Sequence, residues 1–155
     1  MYRQSLAVLI AACAAIGVMA ASPSVGLAEQ TAPGTVNVPT GEVGLGSVEL
    51  PRRVMADGRA LAAGTYDLRV TADSANPDAP GQLAVLERWV EFRQGDEVKG
   101  REVVSIVPQS EIDSVAKSAP PGNGTVRVEM LKENEYLRVW VNQDNTHYFI
   151  HLVAG

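Results

Sequence analysis

The chain has 155 residues, a formal net charge of −5 and a single cysteine, which allows one domain and leaves little room for two. A mildly acidic chain without a lysine and arginine cluster is poorly suited to nucleic acid or an anionic membrane, so we expect neither partner. Hydrophobic residues make up 46% of the chain, and this composition excludes a disordered, collagen-like or disulfide-stapled protein.

The first 28 residues have the pattern of a cleaved export signal. Arg3 supplies a positive start, and an unbroken run of small and apolar residues follows from Leu6 to Ala21. Gly26-Leu27-Ala28 then fits the small-residue rule for signal peptidase. We therefore predict that residues 1–28 are removed after Ala28 and that the protein is exported, to the periplasm or out of the cell.

Three alternatives stay open for this segment. Cleavage after Ala20 or Ala21 also fits, and an uncleaved segment would be a membrane anchor, although its apolar run is shorter than the ~20 residues that a span needs. The third alternative is a lipid anchor on Cys13, which follows a lipobox-like triplet, Ile10-Ala11-Ala12. A lipidated cysteine normally ends the apolar run, whereas Cys13 lies inside it. Cleavage after Ala28 leaves a mature domain without cysteine, which excludes thiol catalysis, thiolate metal sites and disulfides.

The mature chain divides into a short leader and one domain. Residues 29–42 are rich in Thr, Pro and Gly without periodicity, so we predict a flexible leader. From residue 43 to 155 apolar and polar residues alternate, with turn residues about every ten positions. This pattern predicts an all-β domain, an antiparallel sandwich of seven or eight strands, with one short helix near 110–117.

The segment from Asp57 to Val70, DGRALAAGTYDLRV, has the pattern of a turn, a tight corner and a strand. Gly64 permits the bend, and Tyr66 is placed to hydrogen-bond across the corner. The segment resembles small exported bacterial β-sandwich modules of the carboxypeptidase-regulatory-like and prealbumin-like kinds. The resemblance implies an Ig-like or prealbumin-like sandwich and brings no catalytic residue with it.

A hairpin is predicted from residues 83–93 and 97–107, joined by a three-residue turn at Gln94-Gly95-Asp96. This turn places Trp89 opposite Arg101 on the more polar face of the hairpin.

The helix near 110–117 follows this hairpin. Ser110 and Asp113 fit a capping box, and Ile112, Val115 and Ala116 form one apolar side.

The last third of the chain predicts a three-stranded meander. Alternating segments that begin at Thr125, Tyr136 and His147 are separated by four-residue turns at 132–135 and 143–146. Closing both turns places Val128, Val139 and Ile150 side by side. One face of the meander is therefore wholly apolar, and we expect it to pack on a second sheet.

The opposite face of the meander is the candidate binding surface. Closing the same turns predicts two rows of side chains across the strands: Glu129, Arg138 and His151 in one, and Arg127, Trp140 and Phe149 in the other. Trp89 with Arg101 extends this face from the earlier hairpin. Aromatic rings beside hydrogen-bonding groups suit sugars and protein partners. The alternative is that the helix, the leader or another strand covers the face and makes Trp140 and Phe149 part of a secondary core.

We expect no metal site, no cofactor and no catalytic residue. His147 and His151 lie about 13 Å apart in an extended strand, too far to bind one metal ion together. Asp and Asn side chains at 73–78 and 142–145 offer oxygen ligands, but without the spacing of known calcium loops. The chain also has no Gly-x-Ser-x-Gly elbow for a serine nucleophile.

These observations favour an exported, non-catalytic binding or accessory module of the cell envelope. It would act through Trp89, Arg127, Arg138, Trp140, Phe149 and His151 on an envelope glycan or an envelope protein. The first alternative is a structural envelope subunit that self-associates through an edge strand. The second is a small hydrolase.

Overall fold

The computed structural model describes residues 38–75 and 86–155, and most of these residues lie in nine β-strands. The strands are β1 Val43–Leu50, β2 Val54–Ala56, β3 Arg59–Leu61, β4 Gly64–Ser74, β5 Glu87–Gln94, β6 Glu97–Pro108, β7 Thr125–Leu131, β8 Tyr136–Gln143 and β9 Thr146–Ala154. A 3-10 turn, Gln109–Glu111, leads into the single short helix α1, Ile112–Val115. The predicted signal with Ala28 and Cys13, and leader residues 29–37, lie outside the described residues. None of the helices in the described ranges is long and apolar enough to span a membrane.

All the strand pairs are antiparallel, and they belong to one continuous hydrogen-bonded sheet. Its main path runs β1-β4-β5-β6-β9-β8-β7. The short hairpin β2-β3 pairs with the end of β9, on the same side of β9 as β6. The sheet curves until β1 lies close to β7 and β8, so that it encloses its own apolar face.

The predicted all-β antiparallel class is confirmed, but the structure has nine strands where we predicted seven or eight. The additional pair is β2-β3, whose strands have three residues each. Strands of this length are too short for alternation to distinguish them from a turn.

The core lies on the enclosed face of the sheet, where alternate residues of neighbouring strands meet. Its buried members include Val48, Leu50, Leu68, Val70, Val90, Phe92, Val104, Ile106, Leu137, Val139, Ile150 and Leu152. Burial of this set is the main stabilising contribution available to a domain with neither disulfide nor metal among its described residues.

The predicted register of the meander is confirmed at every position. Val128 pairs with Val139, and Val139 pairs with Ile150 on its other side. The second turn is tighter than predicted, because only Asp144 and Asn145 lie between the strands, with φ angles of 52° and 60°. Positive φ at both central positions defines a type I′ turn, which Asn and Asp tolerate. The register is unchanged, because a two-residue turn at 144–145 and the predicted four-residue turn at 143–146 both place Asn142 opposite His147.

The predicted register of the β5-β6 hairpin is wrong beyond its turn. The turn holds two residues, Gly95 and Asp96, and the register shifts next to it, between Phe92 and Arg93. The shorter turn and this bulge each move the pairing by one residue, so Trp89 lies opposite Val103 and Arg101 is its diagonal neighbour on the same face.

The corner before β4 forms as predicted. The Tyr66 hydroxyl donates a hydrogen bond of 2.9 Å to the carbonyl oxygen of Ala62. Gly64 has a φ of 147°, a conformation that residues with a Cβ rarely adopt. Together they fix the direction in which β4 enters the sheet.

The part of the predicted leader that the structure describes is not flexible. Val38 is buried in the core, and the Arg88 guanidinium donates hydrogen bonds to the carbonyl oxygens of Pro39 and Gly41. Arg88 itself is almost fully buried, and burial lowers its pKa. Residues 38–42 therefore pack with the folded domain, whose predicted boundary was residue 43.

The predicted helix at 110–117 is shorter than expected. Its α-helical part covers 112–115, and neither Ser110 nor Asp113 makes a capping hydrogen bond. Ile112 is buried as predicted, whereas Val115, predicted on the same apolar side, is 55% exposed. One turn of helix cannot present a continuous apolar stripe, so a single residue anchors it.

Candidate functional site

The outer face of the sheet carries the predicted rows of side chains. Arg138 pairs with Glu129 on one side and with His151 on the other, and its guanidinium lies 2.6 Å from the Glu129 carboxylate. Trp140 pairs with Arg127 and with Phe149 in the next row. The structure divides this face into a covered part and an open part.

Segment 109–116, which we call the cap, covers Trp140 and Phe149. Trp140 is 0% exposed and Phe149 is 4% exposed, and their ring centres are 4.7 Å apart. Val107 and Ile112 complete a second buried cluster with them, and Ala116 packs against it. The expectation that both rings are exposed for binding is therefore wrong, and the alternative of a secondary core under the helix holds.

His147 links the covered rings to the cap. The indole Nε1–H of Trp140 donates to His147 Nδ1 at 3.1 Å, and His147 Nε2 lies 2.8 Å from Gln109 Oε1. The imidazole is fully buried, and burial lowers its pKa. It is a satisfied, neutral core histidine without access to a substrate.

The two arginines of the rows lie over the edge of this second core. The Arg127 and Arg138 guanidinium carbons are 5.5 Å and 5.3 Å from the centre of the Trp140 ring. Arg127 also donates to the carbonyl oxygen of Ala119 at 2.7 Å, which ties down the chain that returns from the cap. Both arginines therefore have structural contacts in addition to any role in binding.

The open part of the face centres on Trp89 and Arg101. The Arg101 guanidinium carbon lies 4.0 Å from the centre of the half-buried Trp89 ring, a stacked cation–π contact. Arg101 Nε also donates to the Asp57 carboxylate at 3.1 Å. The predicted direct pairing of Trp89 with Arg101 is wrong, but the two side chains still meet as diagonal neighbours on the same face.

A groove lies beside this pair, between the β2-β3 turn and β6. It has a volume of about 270 Å³ and is lined by Ala56, Asp57, Arg59, Val98, Gly100 and Arg101. Two arginines and one aspartate make its wall locally positive in an acidic protein. The Asp57 backbone N–H donates to the Glu102 carboxylate at 2.8 Å, which fixes the turn that carries Asp57 and Arg59.

A second depression lies at the other end of the open face. Leu131, Lys132, Tyr136 and His151 line about 360 Å³, and the Lys132 ammonium is 5.1 Å from the centre of the Tyr136 ring. Partial burial and the neighbouring Arg138 lower the pKa of His151, while Glu102 opposes this shift. By accessible surface the His151 side chain is exposed, as predicted.

Sequence reasoning identified Trp89 and Arg101 but missed Asp57, Arg59 and Gln109. Asp57 and Arg59 flank Gly58 in a turn motif, and the turn was the only role assigned to them. Their approach to β6 depends on a contact over 44 positions of sequence between Asp57 and Arg101, which local pattern does not encode.

Within residues 38–75 and 86–155, the structure brings together no group of three or more His, Cys, Asp or Glu side chains that could hold a metal ion. Of the two loops considered for calcium, the one at 142–145 has its Asn142 amide donating to the Pro121 carbonyl at 2.8 Å. Comparison with known protein families, curated proteins and solved structures gave no match for this chain.

Proposed function

We propose that this protein is an exported, non-catalytic binding module of the cell envelope and that it holds a carboxylate-bearing envelope glycan in the groove beside Trp89. The observation that carries the proposal is the position of Arg101, held between the Trp89 ring and the Asp57 carboxylate at the wall of the groove. The covered rings Trp140 and Phe149 have no part in it.

Arg101 is organised in advance for an anionic group. Its Nε is bonded to Asp57 and its face is stacked on Trp89, whereas its two Nη atoms donate to no other described residue. A planar guanidinium in this setting offers a parallel pair of N–H donors, which matches the geometry of a carboxylate. Because the side chain is already restrained, binding costs less conformational entropy than it would for a free arginine.

The rest of the groove suits a sugar. Its volume of about 270 Å³ is small for a cofactor site and is open to solvent, so it suits one sugar unit of a glycan. Arg59 adds a second cation to the lining of the groove, and the half-buried Trp89 ring lies beside the groove against Arg101. Aromatic rings with adjacent hydrogen-bonding groups are well suited to sugar rings.

Co-sedimentation of the purified protein with insoluble cell-wall and exopolysaccharide preparations tests the proposal. We expect Arg101→Ala to weaken pelleting about tenfold or more, as for the loss of a hydrogen-bonded charge. Arg69→Ala is the matched control, because Arg69 is a similarly exposed arginine, 50% against 55%, that pairs with Glu42 and does not line the groove. Chemical reduction of the glycan carboxylates should abolish binding of the unmodified protein.

Equal pelleting of Arg101→Ala and Arg69→Ala would exclude the groove as the binding site. Failure of the unmodified protein to pellet with any preparation would exclude the glycan. Sedimentation equilibrium over a range of concentrations completes the test, since a mass that rises with concentration would favour the self-associating subunit instead.

A further inference from the structure

The cap is attached to the sheet by few interactions. The Gln109 backbone N–H donates to the Asn145 carbonyl at 3.0 Å, and Ile112 is the one fully buried cap side chain. The remaining cap side chains are exposed, apart from the partly buried Ala116. A segment with so little burial and a single helical turn opens at lower free energy than the strands beneath it.

The closed cap requires one particular protonation state of His147. An indole N–H is only a donor, so Nδ1 must accept the bond from Trp140 and carry no proton. Nε2 then carries the proton and donates to Gln109 Oε1. A second proton on the ring would sit on Nδ1 and face the Trp140 N–H, which would break this bond and charge a buried ring.

We propose that segment 109–116 is a pH-responsive cap, held closed by neutral His147 and released when that ring is protonated, so that Trp140 and Phe149 become exposed in mild acid. The proposal goes beyond glycan binding in the open groove and does not depend on it.

Among residues 38–75 and 86–155, no charged side chain forms an ion pair that would stabilise a protonated His147 in the closed state. The charged side chains on the elements around the ring are Arg127 and Arg138 over Trp140, Asp144 in the turn before β9, and Glu111 and Asp113 on the cap. Among the described residues none of them forms an ion pair with His147. Burial alone lowers its pKa, so the proton is better accepted when the cap is open.

The size of the effect follows from linkage. If the open-state histidine has an ordinary pKa of about 6.5 and the closed state binds no proton, the equilibrium constant for opening the cap rises by at most about 30-fold between pH 8 and pH 5. The direction of the pH dependence is also determined. Neutral His147 favours the closed cap above pH 6.5, and the closed cap becomes less stable as the pH falls below 6.5.

Amide hydrogen exchange followed by NMR measures the equilibrium constant for opening of the cap. The reporters are the N–H groups of Gln109 and Ala116, which bond to Asn145 and Ile112 in the closed cap. After correction for intrinsic exchange, we expect protection of both amides to fall by up to about 30-fold from pH 8 to pH 5 while the core strands stay protected.

The chain contains two histidines, and this allows a matched pair of variants. His147→Gln keeps an acceptor for Trp140 and a donor for Gln109 without a titrating group, so its cap protection should not change with pH. His151→Gln removes the other histidine and should retain the full response of the unmodified protein.

A pH response that persists in His147→Gln, or that disappears in His151→Gln, would overturn the proposal. So would unchanged protection of Gln109 and Ala116 in the unmodified protein down to pH 5. If His147→Gln does not fold, the ¹⁵N chemical shifts of the His147 imidazole in the unmodified protein test the proposal instead. A proton on Nε2 at pH 8, moving to both nitrogens as the cap amides lose protection, supports the cap, and a proton on Nδ1 at pH 8 refutes it.

Discussion

Replacing Trp140 with alanine tests whether the cap and the sheet enclose a second core. The side chain is 0% exposed, and removal of a buried tryptophan costs about 3–5 kcal/mol of unfolding free energy. Loss of the indole donor also leaves His147 Nδ1 without a partner, which adds about 1 kcal/mol or more. The sum, about 4–6 kcal/mol, reaches the lower end of the unfolding free energy of a typical domain, about 5–15 kcal/mol.

Urea unfolding followed by circular dichroism gives the free energy, and a thermal scan should show a midpoint lower by about 15–20 °C. Trp89→Ala is the matched control, since this ring is half-buried and its main described partner is Arg101. We expect that control to lose only about 1–2 kcal/mol.

A Trp140→Ala variant no less stable than Trp89→Ala would refute the second core. It would mean that Trp140 is open in solution and would restore the predicted binding surface. Trp140→Phe separates the two contributions, because it keeps a ring in the cavity and loses the bond to His147.

Three further predictions follow from individual contacts. Tyr66→Phe removes the bond to the Ala62 carbonyl and should lower the unfolding free energy by about 1 kcal/mol, measured by urea titration; no change would mean that the corner does not depend on the hydroxyl. Arg88→Ala removes both donors that hold residues 38–42, so limited proteolysis should cut there much faster, and an unchanged rate would contradict this anchoring role. As the pH is lowered from 6.5, the unfolding free energy should decrease, with His147 contributing at most about 1.4 kcal/mol per pH unit. The reason is that burial lowers the pKa of His147 in the folded state, so the unfolded chain binds the proton more readily. A His147→Gln variant whose urea midpoint has the same pH dependence as the unmodified protein would exclude His147 as the source.

The antiparallel class, the meander register and the Tyr66 corner could all be predicted from sequence because each depends on short-range rules. Alternation with period two sets which side chains share a face, and a turn of known length sets which residues lie opposite one another. The pairing of Arg138 with Glu129 and His151 follows from these two rules alone. The same rules failed at β5-β6, where a turn one residue shorter than predicted and a bulge of one residue together changed the partner of Trp89.

Tertiary structure alone decided which parts of the outer face are open. Trp89 and Trp140 have the same local pattern, an aromatic ring among charged neighbours on a strand, and alternation treats them alike. The path of the chain between β6 and β7 buries Trp140 under Ile112, whereas the turn at Asp57 approaches Arg101 and leaves Trp89 at the edge of a groove. Both outcomes rest on contacts between residues far apart in the chain, so the sequence determined the faces of the sheet and long-range packing determined which of them is exposed.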